Sequence, residues 1–489
     1  MKNTTPLFPG FHLQTLRRRP RSAKQIWAEE VDKLKQKSFS QLGECFARWI
    51  PKQYLLPTQG GALSRRRLFS KENTFWAFFS QVIDSDGGCQ EVVRKLQAFA
   101  AIKSIRLPSS STSAYCQARK KLDHSSLESI LKHTSNNLQL STDSARLNGR
   151  RVVVVDGTGV SMPDTAENQE VWPQQSNQKP GCGFPQATIC ACFCLQTGIL
   201  LSHEIGNKKN HEIPLLRKQW STFKAGDIFL GDKGFCSYYD VHKFKERDVD
   251  SVITLARRTP VSKEKSIKVL SENDLLIEWP KPIKSKRLSY SQAEWEALPE
   301  SLPLRQIKVT VDRPGFRVST FHIVTTLLDP VEYPANEIAD LYYQRWDIEL
   351  FFRDIKTSMG MDILRCKSPD MVRKEIMMHL IVYNCIRNLM LDAAQKSRIK
   401  VRRISFKGSV QALRQWEPHL NQTRLNDQER NRLIEFLYDS IANNIIPDRP
   451  GRSEPRAVKR RPKPFQLMTA PRDQMREMKP RKKYIAKKA

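Results

Sequence analysis

Arg151-Val152-Val153-Val154-Val155-Asp156-Gly157-Thr158-Gly159 is the stretch on which the fold turns. Four consecutive valines have the profile of a strand buried on both faces. The run then ends on an acid. Working outward, Ala187 to Leu195 and Gly198 to Ile205 read as two further strands joined at the Gln196-Thr197-Gly198 turn. His211 to Phe223 reads as a helix. Ile228-Phe229-Leu230-Gly231-Asp232 is a second short buried strand that ends in an acid, Tyr238 to Arg247 a helix, and Ser251 to Ala256 a strand. Short hairpins followed by helix crossovers fit a mixed sheet.

That order is the ribonuclease H-like one, so the expected architecture is α/β: a mixed five-stranded sheet with flanking helices. The stretch from Arg257 to Arg317 breaks the pattern with scattered prolines, charged segments and short alternating runs such as Gln306 to Val311. It reads as a β-rich insertion, after which Ser319 to Leu328 is a strand leading back to the core. The expected boundaries are a helical N-terminal DNA-binding domain over 1–140, a core over 145–256 and 319–395, and the insertion over 257–318. A helical region over 396–446 and a basic tail over 447–489 complete the chain. The segment Met377 to Leu391, broken by His379, Asn384, Arg387 and Asn388, reads as a buried helix with a polar edge.

The second informative stretch is Tyr342-Tyr343-Gln344-Arg345-Trp346-Asp347-Ile348-Glu349, continuing through Phe351-Phe352-Arg353-Asp354-Ile355-Lys356. On a helix at about 100° per residue, Tyr342, Arg345, Glu349 and Lys356 share one narrow arc. Ile348, Phe351, Phe352, Ile355 and Met359 form an apolar stripe beside it, while Asp347, Arg353 and Asp354 point away and Trp346 reads as a packing residue. A lone carboxylate flanked by two cations and a phenol fits a metal-bound or phosphate-facing site. An ordinary amphipathic helix with charge pairs three or four residues apart is the other reading of the helix alone.

Composition supplies a partner for that seam. Lysine and arginine outnumber aspartate and glutamate by 82 to 51 in 489 residues, a formal charge of +31. Solubility needs no such excess; a polyanion is implied, with nucleic acid foremost. The hydrophobic share of 39% is enough for a real core. No run reaches roughly 18 apolar residues, and the N-terminus lacks the apolar centre of a signal peptide, so a cytoplasmic protein with reduced thiols and no membrane is expected. Cys190, Cys192 and Cys194 alternate along one strand; zinc sites usually leave two or more residues between cysteines, so these read as small core residues. The segment Leu16-Arg17-Arg18-Arg19-Pro20-Arg21 reads as a loose basic arm. Arg456-Ala457-Val458-Lys459-Arg460-Arg461-Pro462-Lys463 and Lys479-Pro480-Arg481-Lys482-Lys483 are too charged and too poor in aliphatics to pack.

Asp156 and Asp232 each end an apolar strand, and Glu349 lies on the inward arc of a helix expected to pack beside them. Converging buried acids raise one another's pKa unless neutralised, so they imply bound cations. Oxygen-only ligation selects magnesium or manganese over zinc, and two such ions roughly 3.5–4 Å apart support in-line phosphoryl displacement. Taken singly, Asp156 and Asp232 also read as turn or cap residues.

At these positions the chain resembles the bacterial insertion-sequence DDE transposases of the insertion sequence 4 family. Tyr342, Arg345, Glu349 and Lys356 match that family's tyrosine–arginine–glutamate–lysine signature. Val155-Asp156-Gly157-Thr158 and Gly231-Asp232-Lys233-Gly234-Phe235 resemble its two aspartate motifs, and the insertion is a further likeness. Phe75-Trp76-Ala77-Phe78, Arg449-Pro450-Gly451-Arg452 and Glu454-Pro455-Arg456 also look familiar from this group. The resemblance implies Asp156, Asp232 and Glu349 as ligands of two Mg2+ ions, with Mn2+ as a substitute. It implies Tyr342, Arg345 and Lys356 as holders of DNA phosphates beside the scissile bond. It also implies cleavage and strand transfer at terminal inverted repeats and target DNA by a homodimer, in a bacterial, nucleoid-associated setting.

Trp279 and Trp295 lie in the insertion, where related enzymes use an aromatic residue to capture a flipped base. His203, Glu204, His211 and Glu212 read as surface residues or as supports behind a site, and Lys208-Lys209-Asn210 as a solvated turn. Two other functions are weighed: a DNA-binding repressor that has lost catalysis, and a ribonuclease H-like nuclease or resolvase without strand transfer.

Overall fold

In the computed structural model the described residues are 42–61, 63, 68–84, 86–102, 107–136, 147–207, 212–256, 260–284, 290–311, 319–420, 426–447, 468–478 and 483–486. The basic arm, the 208–210 turn, His211 and most of the tail (both cationic runs apart from Lys483) lie outside them. The chain divides into two compact units, Met1–Ser126 with Arg414–Leu433, and Leu127–Leu413 with Ile434–Ala489.

The first unit is helical: α1 (Leu42–Phe46), α2 (Lys71–Ile83), α3 (Cys89–Ile102) and α4 (Ser113–Lys120). Ser70 caps α2 by accepting from the Asn73 amide at 3.2 Å, and nearly all of that helix is buried. Its aromatic centre is Phe46, Phe75, Trp76 and Phe79. Lys95 joins Asp84 at 3.0 Å and the buried Glu417 at 2.7 Å, so the C-terminal segment that belongs to this unit is tied in by a paired charge.

The second unit is built on a nine-stranded sheet in the order β3-β2-β1-β4-β5-β9-β8-β7-β6. Its strands are β1 (Val152–Ser161), β2 (Gln186–Cys194), β3 (Leu200–Asn207), β4 (Ile228–Gly231), β5 (Asp250–Thr254), β6 (Lys268–Ser271), β7 (Asp274–Pro280), β8 (Ser301–Val311) and β9 (Ser319–Thr325). The helices around it are α5 (His124–Ser135, starting at the unit boundary), α6 (Ala166–Val171), α7 (Glu212–Arg217), α8 (Tyr238–Lys245), α9 (Gln292–Glu296), α10 (Ala335–Tyr343), α11 (Asp347–Arg353) and α12 (Pro369–Ser397). Two more, α13 (Phe406–Leu420) and α14 (Asp427–Ala442), each have residues assigned to both units, and β10 (Met475–Met478) pairs with β11 (Lys483–Ala486).

β2 is antiparallel to β1, and β4 and β5 run parallel to it. The expected sheet of five strands is corrected to nine. β9 pairs with β5 on one side and β8 on the other, so the insertion extends the core sheet. The physical reason is the edge: β5 would otherwise present unpaired backbone groups, and the β8–β9 hairpin satisfies them.

The polar edge of α12 is buried, and its two asparagines are hydrogen-bonded. Asn384 accepts from the Leu200 amide and donates to the Leu200 carbonyl, both at 2.9 Å, and Asn388 donates to Thr134 O at 3.1 Å. These bonds fix the long helix against β3 and α5. Among the described residues, no helix is long and apolar enough to cross a membrane.

Candidate active site

β1 continues straight through Asp156 to Ser161, beyond the turn its glycines suggest. The parallel register pairs Val154 with Leu230; two residues further on, Asp156 and Asp232 stand at the same end of adjacent strands, which lie about 4.8 Å apart. The Gly157 amide donates to Asp156 Oδ1 at 2.7 Å. Asp232 caps the short Lys233–Phe235 turn, its Oδ1 accepting from the Gly234 amide at 2.7 Å. The cap role holds for Asp232, whereas Asp156 lies within β1 and caps no helix.

The helical segment over the site has more than one pitch. α10 and α11 are joined by a 3-10 turn at Gln344–Trp346, and α11 passes into a π turn at Asp354–Ser358. Glu349 is exposed on α11. The Arg345 guanidinium is buried, 3.9 Å from Asp156 Oδ2, and lies 5.6 Å from the Tyr342 ring and 5.0 Å from the Trp346 ring. Among the described residues its Nε–H has no hydrogen-bond partner. Lys356 Nζ donates to Thr158 Oγ1 at 3.3 Å, two residues along β1 from Asp156.

Electrostatics tie these groups together. Burial pushes the Asp156 carboxyl up to about 6; the charges of Asp232 and Glu349 push the same way, and the Gly157 amide and Arg345 oppose them. Among the described residues, no three acidic, histidine or cysteine side chains are drawn into a cation-binding cluster.

Several side chains sit differently from their sequence reading. Tyr342 is buried at 6% exposure, and its hydroxyl is bonded to Thr254 Oγ1 at the end of β5. Trp346 is 56% exposed, so it is not a packing residue. Asp354 is buried, and Asp347 is paired with Arg402 at 3.0 Å. The single-pitch helix on which these directions were projected is broken by the two changes of pitch. Trp279 and Trp295 are buried in the core. Trp295 stacks on Tyr290 at 5.2 Å, and Trp279 meets Tyr238 edge-on at 5.3 Å.

Cys190, Cys192 and Cys194 are buried on β2. His203 is pushed down to about 4 by burial, and Glu204 lies 4.0 Å from Lys218. Glu212 presses on Gly157 so closely that a Cβ there would stand 1.8 Å from its Oε1. Sequence reasoning missed Thr158 and Thr254. The alternation of β1 gave a signal for Thr158, which shares a face with Asp156.

Comparison with known proteins gives this geometry its class. Residues 147–385 match a family model described as the transposase DDE domain. The chain is 25% identical over 427 residues to the transposase InsG for insertion sequence element IS4 of Escherichia coli (strain K12), covering 85% of this chain and 91% of that one. It is 37% identical over 59 residues, 12% of this chain and 16% of the relative, to the putative transposase InsL for insertion sequence element IS186A of the same organism. A solved structure, the piggyBac transposase synaptic complex with hairpin DNA, aligns over 85% of this chain and 87% of that one at a TM-score of 0.43 and 12% identity.

The chain is a DDE transposase, an enzyme with endonuclease and strand-transfer activity. Within that class its likeness along most of its length is to the transposase of insertion sequence element IS4.

Proposed function

We propose that this transposase binds the terminal inverted repeats of an insertion sequence, and that Asp156, Asp232 and Glu349 are its acid triad. The observation that carries the reading is the Asp156 carboxyl: half-buried on β1, pushed up by burial first and then by two neighbouring acids, and faced by Arg345. Its donor set is all oxygen, which fits hard divalent cations, magnesium first and manganese as a substitute. Two such ions, when bound, would activate the attacking oxygen and stabilise the leaving one in phosphoryl transfer.

The chain's own groups supply the rest. Arg345 has a buried Nε–H with no partner among the described residues and lies beside Asp156; a guanidinium so placed suits a phosphate. Lys356 adds a flexible ammonium further along β1. Tyr342, its hydroxyl held by Thr254, supports Arg345 through its ring, and any phosphate contact of its own requires that hydroxyl to be released. We read β1 to β5 with their helices as a ribonuclease H-like core, the helical first unit as a DNA-binding domain, and the basic tail as a further DNA contact. The charge of +31 supports the polyanionic partner, and joining two element ends calls for two copies of the chain on DNA. The setting is the bacterial cytoplasm, at the nucleoid.

The test is cleavage of terminal-repeat DNA with magnesium. Asp156→Ala, Asp232→Ala and Glu349→Ala are each expected to lose cutting while still binding the DNA; a variant that cuts like the parent removes that residue from the triad. Cleavage without any strand joining would favour a nuclease or resolvase.

A further inference from the structure

Arg387, midway along α12, is buried at 6% exposure. Its guanidinium lies 5.0 Å from the Phe351 ring, 5.3 Å from Phe406 and 5.5 Å from Tyr383. Nη2 donates to Asp354 Oδ2 at 2.9 Å, and Nε donates to the Tyr383 hydroxyl at 3.1 Å. That hydroxyl in turn donates to the Gly198 carbonyl at 2.6 Å. A buried ion pair contributes little net stability over apolar packing of the same volume, so its placement calls for another reason.

Asp354 opens the π turn that carries Lys356, and its carbonyl accepts from the Met359 amide at 3.2 Å, five residues on. Downstream, the chain is pinned to β1: the Ser161 amide donates to Asp362 O at 3.0 Å, and the Leu364 amide donates to Ser161 O at 2.8 Å. The segment is therefore tied at Asp354 to α12 and at Asp362–Leu364 to β1. The residue too many for an α-helical path between these ties is taken up as the widened turn. Turns of this kind cluster at functional positions.

We infer that the Arg387–Asp354 pair is a positioning device for the reaction: it holds the π turn that aims Lys356 at Thr158, beside Asp156. Both residues are buried. The inference rests on the reading of Lys356 as a phosphate ligand. Without the tie at Asp354, the turn relaxes toward α-helix and Lys356 swings off β1.

The experiment uses the full chain and a terminal-repeat duplex, measuring magnesium-dependent cleavage and the salt dependence of binding. Arg387→Ala alone leaves a buried carboxylate unpaired and endangers the fold, so the principal variant is Arg387→Met with Asp354→Leu. It is expected to melt like the parent, lose cleavage by about 100-fold and lower the salt slope by about 0.9, the share of one phosphate contact. Lys356→Ala is expected to do the same, and combining all three changes is expected to add nothing.

A folded double variant with parental slope and cleavage overturns the inference, as do losses that simply add to those of Lys356→Ala. If the double variant fails to fold, Asp354→Asn is read instead: about tenfold slower cleavage with a lowered slope is expected, and parental values overturn the inference. Lys356→Ala with an unchanged slope removes the phosphate reading and this inference together. Lys356→Ala with a lowered slope beside a silent double variant removes the inference alone.

Discussion

At Asp156 the fold favours the proton. Its carboxyl is pushed up to about 6, by burial first and then by Asp232 and Glu349, whereas an unfolded aspartate titrates near ~3.9. The folded chain therefore binds the proton more tightly, and the stability this contributes is present below about pH 4 and lost as pH rises through about 6. Without divalent cations, Asp156→Asn is expected to be more stable than the parent at pH 7.5, by at most about 3 kcal/mol, and equal to it at pH 4, read from thermal melts. Magnesium is expected to raise the parental Tm more at pH 7.5 than at pH 5, because cation and proton compete for the same oxygens. The increment is expected to vanish in Asp156→Asn; an equal increment in that variant would place the cation elsewhere. Tyr342→Phe loses only the hydroxyl bonded to Thr254. It is expected to cost about 1 kcal/mol of stability and to leave the salt slope of DNA binding unchanged. A lowered slope would make the phenol a phosphate ligand in its own right.

Two ties between elements decide where the chemistry-bearing helix lies. Asn384 occupies both hydrogen-bonding groups of Leu200 at the start of β3. Asn384→Leu strands the buried Leu200 amide, at about 1–3 kcal/mol, while the Leu200 carbonyl keeps the Ser135 hydroxyl at 2.9 Å, and is expected to lower the urea midpoint accordingly. Gly198, in the β2–β3 turn, sits at φ +70° with its missing Cβ 3.0 Å from Arg387 Cζ and from the Phe351 ring. Gly198→Ala therefore strains the backbone and pushes on the side chain that anchors the π turn. About 1–3 kcal/mol of lost stability is expected, with slower DNA cleavage than a surface Gly→Ala control; cleavage at the control's rate would uncouple that turn from the site.

Across the molecule, the excess of cations makes binding a matter of counterion release. The affinity for end DNA is expected to fall linearly with log salt at about 0.9 per phosphate contact, and Arg345→Ala to remove about one contact. Sedimentation of the complex formed with two end duplexes is expected to give two chains. One chain per two ends would contradict the synaptic dimer.

The sequence by itself determined the strands and their acids. An apolar run long enough to be buried can only be a strand or a core helix, and Val152–Val155 and Ile228–Gly231 are too short for a helix. It determined the cationic balance as well, since formal charge does not depend on the fold. Tertiary structure alone decided that the sheet runs to nine strands, because pairing across an edge depends on which strand reaches it. It decided that Trp279 and Trp295 are core while Trp346 is exposed, since an aromatic side chain carries no mark of its own burial. It also decided the 3-10 and π turns that redirect Tyr342, Asp354 and Lys356. Those turns arise from ties to β5, α12 and β1, partners between 30 and 200 residues away along the chain, which no local periodicity can register.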